Sequence, residues 1–230
     1  MSIDPKAFWE EKILTWESGR YDRKQATGGL LEKIADASSS SLRYRIKVGV
    51  DLLAPHIKGK SVLEIGCGSG LIAQPLIDAG AVRYVGVDIA ENAITIARKK
   101  QAELNWSDRI SFKVGTVRDM PPVAEDVVVS LGVLDWLTDE ELAVMFERQG
   151  RADFLHAIAE RRNSLAQLAH RAYVQVSYGY RTGVYRPRYF PAKAIADFAA
   201  RQRPGPFYAF RDPRLSFGAL ISSLPIGDRI

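Results

Sequence analysis

The chain has 230 residues, of which 47% are hydrophobic and 26% charged, a composition that excludes a mainly disordered chain, a collagen-like fibre and a disulfide scaffold. Lys and Arg outnumber Asp and Glu by 32 to 27. The single cysteine, Cys67, rules out an intrachain disulfide and a cysteine-based zinc cluster, and three scattered histidines, His56, His156 and His170, argue against a histidine-rich metal site, so no metal is expected. No apolar run approaches the roughly 20 residues of a membrane span. Residues 1–5 show no basic stretch leading into an apolar one, so a single cytoplasmic domain is expected.

In chain order, Asp4 and Pro5 look like the N-cap and first position of a helix. Phe8, Trp9, Ile13 and Trp16 share one of its faces, and Gly19 can end it. Residues 21–40 are polar, with a Gly28-Gly29 pair and a serine run at 38–41, and read as a linker. Leu42, Ile46, Gly49, Val50 and Leu53 then recur at helical spacing. From Ser61 the period changes. Residues 61–65, 83–88, 110–114 and 126–131 read as strands, the last apolar enough for burial on both faces. Helices are expected at 71–79 and 91–104, and Thr138 with Glu141 makes a capping box ahead of Leu142, Met145 and Phe146. Residues 153–159 form a fifth strand, 163–177 an amphipathic helix and 192–200 another helix, while 206–210 and 217–223 pair as a closing hairpin. The fold class is therefore α/β, a doubly wound, mostly parallel sheet of seven strands.

Charge is unevenly placed. Residues 148–214 hold 13 basic and 4 acidic residues, and 12 of the basic ones are arginine. That half can meet an anionic partner or present a solvated basic surface.

The segment that carries chemistry is Val-Leu-Glu-Ile-Gly-Cys-Gly-Ser-Gly at 62–70. A strand ends, glycines turn the chain and a helix begins, which brings backbone N–H groups close to a ligand. Asp88 closes the next strand, 22 residues after Gly66, where an acid accepts hydrogen bonds from ribose hydroxyls in nucleotide-binding folds. The third glycine comes one residue early for a dinucleotide pyrophosphate cradle. Glu64, inside the first strand, suits a ligand that bears an ammonium group.

These residues resemble motif I of the class I S-adenosylmethionine (SAM)-dependent methyltransferases. Residues 84–88 resemble their second motif, 110–121 the third-strand segment leading to the adenine pocket, and 126–142 the fourth strand and following helix. The resemblance implies SAM as cofactor and S-adenosylhomocysteine (SAH) as product. Gly66, Cys67, Gly68 and Gly70 would line the methionine part through their backbone, with Glu64 on the ammonium. Asp88 would bind the ribose, Ile89 would lie against adenine, and Thr116 and Val117 would edge it. Ser130 and Leu131 would face the sulfonium, and Arg45, with Arg43 as the alternative, would meet the SAM carboxylate, as in some quinone-type O-methyltransferases. In domain terms, residues 1–40 would form a helical lid, 41–150 the SAM-binding half, and 151–230 the acceptor half with an insertion at 163–190.

A hydroxyl acceptor needs a general base. The candidates are Asp135 after the fourth strand, His156 in the fifth and Glu160 at its end. The fourth strand carries Ser-Leu-Gly-Val at 130–133, not the Asn/Asp-Pro-Pro-Tyr of base-amino methyltransferases, and no Pro-Cys pair is present. Trp136, Tyr178, Tyr180, Arg181 and Arg186 are the candidate acceptor contacts, since Tyr can stack on rings and Arg can clamp a phosphate or carboxylate. The expected activity is methyl transfer, O-directed, to an anionic small molecule, natural product or glycan, without a stable nucleic-acid complex. A nucleic-acid methyltransferase and a non-catalytic SAM-binding regulator are the alternatives. The basic half is also compatible with contact to an anionic membrane surface.

Overall fold

The computed structural model describes residues 4–21, 30–106, 108–162, 167–168 and 187–230, with backbone alone for 14–21, 30–40 and 42. Helix α1 (Pro5–Tyr21) and helix α2 (Leu30–Leu53) precede an alternating stretch. It comprises β1 (Ser61–Ile65), α3 (Ala73–Asp78), β2 (Arg83–Asp88), α4 (Glu91–Glu103), β3 (Ile110–Val114), β4 (Val127–Ser130), α5 (Asp139–Gln149) and β5 (Asp153–Ala159). Helix α6 (Ala192–Ala200) leads to β6 (Tyr208–Phe210), β7 (Gly218–Ser222) and the two-residue β8 (Asp228–Arg229).

The strands form one sheet in the order β3-β2-β1-β4-β5-β7-β6-β8. Pairing is parallel from β3 through β5 and antiparallel beyond it. The expected seven strands are all present, and the short β8 extends the edge. Because side chains alternate along a strand, the sheet sorts its own residues between two cores. Val62 and Tyr84 pack on one face with Leu53, Ile57, Leu76 and Ile94. Leu63 and Val85 pack on the other with Leu142, Phe146, Phe154 and Ile195. The capping box of Thr138 and Glu141 forms as read from the sequence.

One reading is corrected. The polar stretch through the serine run is not a linker over residues 30–40: α2 runs unbroken from Leu30 to Leu53. Its C-terminal part packs on the core through Val48 and Leu53. Once those turns are fixed, each added residue gains a hydrogen bond at no further nucleation cost, and serine is only mildly unfavourable in a helix. The expected helix at 163–177 lies almost wholly outside the described residues. No helix among the described residues is long and apolar enough to cross a membrane.

Candidate active site

The C-terminal ends of β1, β2 and β4 converge where the strand order reverses, the position at which open α/β sheets bind ligands. A cavity of about 400 Å³ lies there. Its floor is the glycine turn after β1. Gly66 has φ +73°, and a Cβ on it would sit 1.9 Å from Val133 Cγ2, so no other residue fits without rearrangement. Gly66 and Cys67 donate their amides to the Val87 carbonyl at 2.7 and 3.1 Å, which keeps the turn on the sheet. The Asp88 carboxylate accepts the Gly68 amide at 2.8 Å on one oxygen and the Ala90 amide at 2.9 Å on the other. Lys100 of α4 reaches back to Ser69 Oγ at 2.6 Å.

Glu64 is buried on the cavity floor and accepts a hydrogen bond from the Tyr84 hydroxyl. Burial, reinforced by the Glu64 charge, pushes the Tyr84 pKa well above its ordinary value, so the phenol stays a neutral donor. Ile89, Thr116 and Val117 form one wall, and Leu131 and Trp136 another. The Thr116 hydroxyl is also tied into its own turn, donating to Asp119 at 2.6 Å and accepting from the Arg118 amide at 3.2 Å.

Ten expected site residues thus meet around one cavity: Glu64, Gly66, Cys67, Gly68, Asp88, Ile89, Thr116, Val117, Leu131 and Trp136. Six lie outside its lining. Gly70 closes the turn against β3, where a Cβ would meet the Phe112 ring at 2.6 Å. Arg45 stands behind the wall, its Nη2 3.0 Å from a Cβ built on Gly132. Ser130 and His156 belong to the core. Ser130 Oγ and His156 Nδ1 are 2.9 Å apart, His156 Nε2 and Gln149 Oε1 are 2.9 Å apart, and the imidazole stacks on Phe154. Burial lowers the His156 pKa to about 3. A neutral Nε2–H ring fits both contacts, so this imidazole is a core hydrogen-bonding residue, not a base facing the cavity.

Asp135 and Glu160 are likewise turned to structural partners. Asp135 is buried in the turn after β4 and accepts the Ala159 amide at 2.8 Å. Burial raises its pKa to about 6, against the lowering effects of that amide and of Arg45. Glu160 binds Arg211 through both carboxylate oxygens and Arg162 Nε at 2.9 Å. Burial raises the Glu160 pKa, but the two arginines outweigh it and hold it below the ordinary value. Tyr178, Tyr180, Arg181 and Arg186 lie outside the described residues.

Several lining residues are not expected at the site from the sequence. Asp4, Lys6, Trp9 and Ile13 come from α1 and its approach, and Leu137 and Glu141 from the start of α5 and the turn before it; Asp4 and Glu141 read in the sequence only as helix caps. The aromatic density at residues 8, 9 and 16 is the only signal in the sequence, and it reads equally well as packing. Glu141 is engaged by Thr138 and by Arg118 Nε at 3.1 Å.

Residues 62–152 match the family model described as Methyltransferase domain. The ubiquinone biosynthesis O-methyltransferase of Idiomarina loihiensis is 34% identical over 87 residues, covering 37% of this chain and 35% of that protein. The tRNA1(Val) (adenine(37)-N6)-methyltransferase of Aeromonas salmonicida is 35% identical over 95 residues, covering 38% of this chain and 40% of that protein. The chain spans about a third of the length of the first curated relatives it matches. Among solved structures, the magnesium protoporphyrin IX methyltransferase from Synechocystis PCC 6803 with bound SAH shares the fold with a TM-score of 0.69 at 19% identity, over 94% of this chain and 96% of that one. Residues 62–152 thus match a methyltransferase domain, and the fold as a whole is that of a methyltransferase solved with bound SAH.

The residues present fit SAM. A carboxylate on the floor, Glu64, matches an ammonium group, and a second one, Asp88, stands at the end of the adjacent strand. Between them the chain turns through Gly66 and Gly68, both at positive φ, and their backbone lines the cavity.

Proposed function

We propose that the protein is a SAM-dependent methyltransferase acting on an oxygen of a small anionic acceptor, a natural product or glycan among them. The observation that carries this reading is the cavity, where the glycine turn, Glu64 and Asp88 meet the apolar side chains of Val117, Leu131 and Trp136. Bound there, SAM would supply an electrophilic methyl group on its sulfonium. The chain's own residues bind and align. Glu64 holds the ammonium, the backbone of residues 66–68 lines the methionine part, and Asp88 engages the ribose. Ile89, Thr116 and Val117 bracket the adenine, and Leu131 keeps the sulfonium side apolar. In-line displacement gains most from such alignment and from exclusion of water.

A small acceptor is favoured over a nucleic acid by how the arginines are used. Arg162, Arg188, Arg203, Arg211 and Arg214 of the basic half each make an ion pair within the chain. Guanidinium groups engaged in this way are poor anchors for a run of phosphates. Oxygen as the target is supported by the ubiquinone O-methyltransferases among the relatives, whereas the tRNA N6-methyltransferase supports the alternative.

The test has two stages. Titration calorimetry with SAH measures cofactor binding, and no binding at millimolar ligand overturns the reading. Methyl-labelled SAM and the purified protein are then added to a fractionated lysate of the source organism. Label in small-molecule or glycan material is the expected result. Label in nucleic acid overturns the acceptor class, and no label with SAH binding intact favours a SAM-binding regulator.

A further inference from the structure

We infer that Glu10 is a positioning residue that holds helix α1 shut over the cofactor cavity by capping the start of α4. The first turn of any helix leaves its amides without partners inside the helix. Helix α4 begins after Ala90, which has no side chain to accept them. Glu10, 81 residues upstream of Glu91, supplies the missing acceptors. Its Oε1 accepts the Glu91 amide at 2.6 Å and its Oε2 the Asn92 amide at 3.1 Å. The Asn92 side chain returns a hydrogen bond to the Glu10 carbonyl at 3.4 Å. A carboxylate suits this place twice over, because it offers two acceptors and because negative charge is favoured at a helix N-terminus. Ile13 and Trp9 pack beside it against Ala90 and Ala93.

The other side of α1 reaches the opposite wall. Trp9 meets Trp136 edge to face at 5.0 Å, and Phe8 lies 5.8 Å from the same ring. Helix α1 therefore bridges α4, which starts two residues after Ile89, and the turn after β4. Trp9 and Ile13 roof the cavity between them. Glu10 does not line the cavity; it acts through the helix that does.

This inference rests on the reading that SAM fills the cavity. The experiment compares wild type, Glu10→Ala, Glu10→Gln and the exposed neighbour Glu11→Ala as control. It measures the SAH dissociation rate by stopped flow and the far-ultraviolet circular-dichroism couplet of the Trp9–Trp136 indole pair. Gln keeps the size but replaces one acceptor by a donor, so both Glu10 variants should lose the indole couplet and release SAH about tenfold faster, the scale of losing charge-assisted hydrogen bonds. Glu11→Ala should match wild type. An intact couplet with wild-type release in both Glu10 variants overturns the inference. A wild type that keeps its couplet but binds no SAH overturns the SAM reading, and the inference falls with it.

Discussion

The Asp88 carboxylate and the Gly68 amide lie 2.8 Å apart, so the residue expected to hold the ribose also holds the glycine turn. Its second oxygen accepts the Ala90 amide at the approach to α4. One side chain thus fixes the floor of the cavity and the start of its neighbouring helix. Asp88→Ala should weaken SAH binding at least tenfold, about 1.4 kcal/mol, and lower the melting temperature as well. Asp88→Asn keeps an acceptor but not the charge and should fall between. Calorimetric titration with SAH, paired with thermal melts, checks both, and an unchanged affinity in Asp88→Ala would remove the residue from the site.

Gly66 sets a steric limit. With φ +73° and Val133 Cγ2 1.9 Å from a built Cβ, Gly66→Ala combines an unfavourable backbone with an overpacked contact. The expected loss of stability is on the order of 2–4 kcal/mol. The double variant Gly66→Ala with Val133→Ala should recover the packing part only. Urea denaturation of the two single variants and the double variant separates the two contributions, and full recovery would mean that the backbone conformation costs nothing there.

The parallel half of the sheet was legible because its signals are local. The period changes at Ser61, apolar runs end in a glycine turn, and Asp88 falls at the end of the next strand. The same locality made ten residues of the cavity legible. What failed to show depends on partners far along the chain. His156 looks like a catalytic base until Ser130 and Gln149 are seen to flank it, and Glu160 looks available until Arg211 folds onto it from 51 residues away. Glu10 carries no motif at all, since its purpose exists only once α1 lies on α4. The serine run misleads for the opposite reason: its local preference is weak, and the packed end of α2 overrides it.

His156 should matter for stability and not for the pH dependence of catalysis. Its pKa, lowered by burial to about 3, lies below the ordinary histidine value of about 6.5, so the folded state keeps it neutral. Stability from this group is complete above about pH 6.5 and is lost as pH falls towards 3, where only the unfolded chain gains the proton. His156→Ala removes the partner of both Ser130 and Gln149 and opens a gap against Phe154. A loss of about 2–5 kcal/mol is expected, with SAH affinity of the folded fraction unchanged. Denaturant melts from pH 4 to 8 test the slope, and a lost SAH site in a stably folded variant would return His156 to the functional set.

Asp135 runs in the opposite direction. Burial raises its pKa to about 6, above the unfolded value of about 3.9, so between those two values the folded state binds a proton that the unfolded state does not. Stability from this residue is therefore lost as pH rises through that window, reaching a cost of about 3 kcal/mol above it. Asp135→Asn keeps an oxygen for the Ala159 amide, 2.8 Å away in the parent, but never has to carry a buried charge. The stability of the variant relative to wild type should climb between about pH 4 and pH 6 and then level off. Only the shape of that difference is diagnostic, because Arg45 loses a compensating charge in the variant and shifts the curve as a whole. Paired denaturant melts at half-unit pH steps give the difference directly. A flat line would mean that Arg45 and the Ala159 amide fully compensate the buried carboxylate, and that Asp135 is ionised throughout.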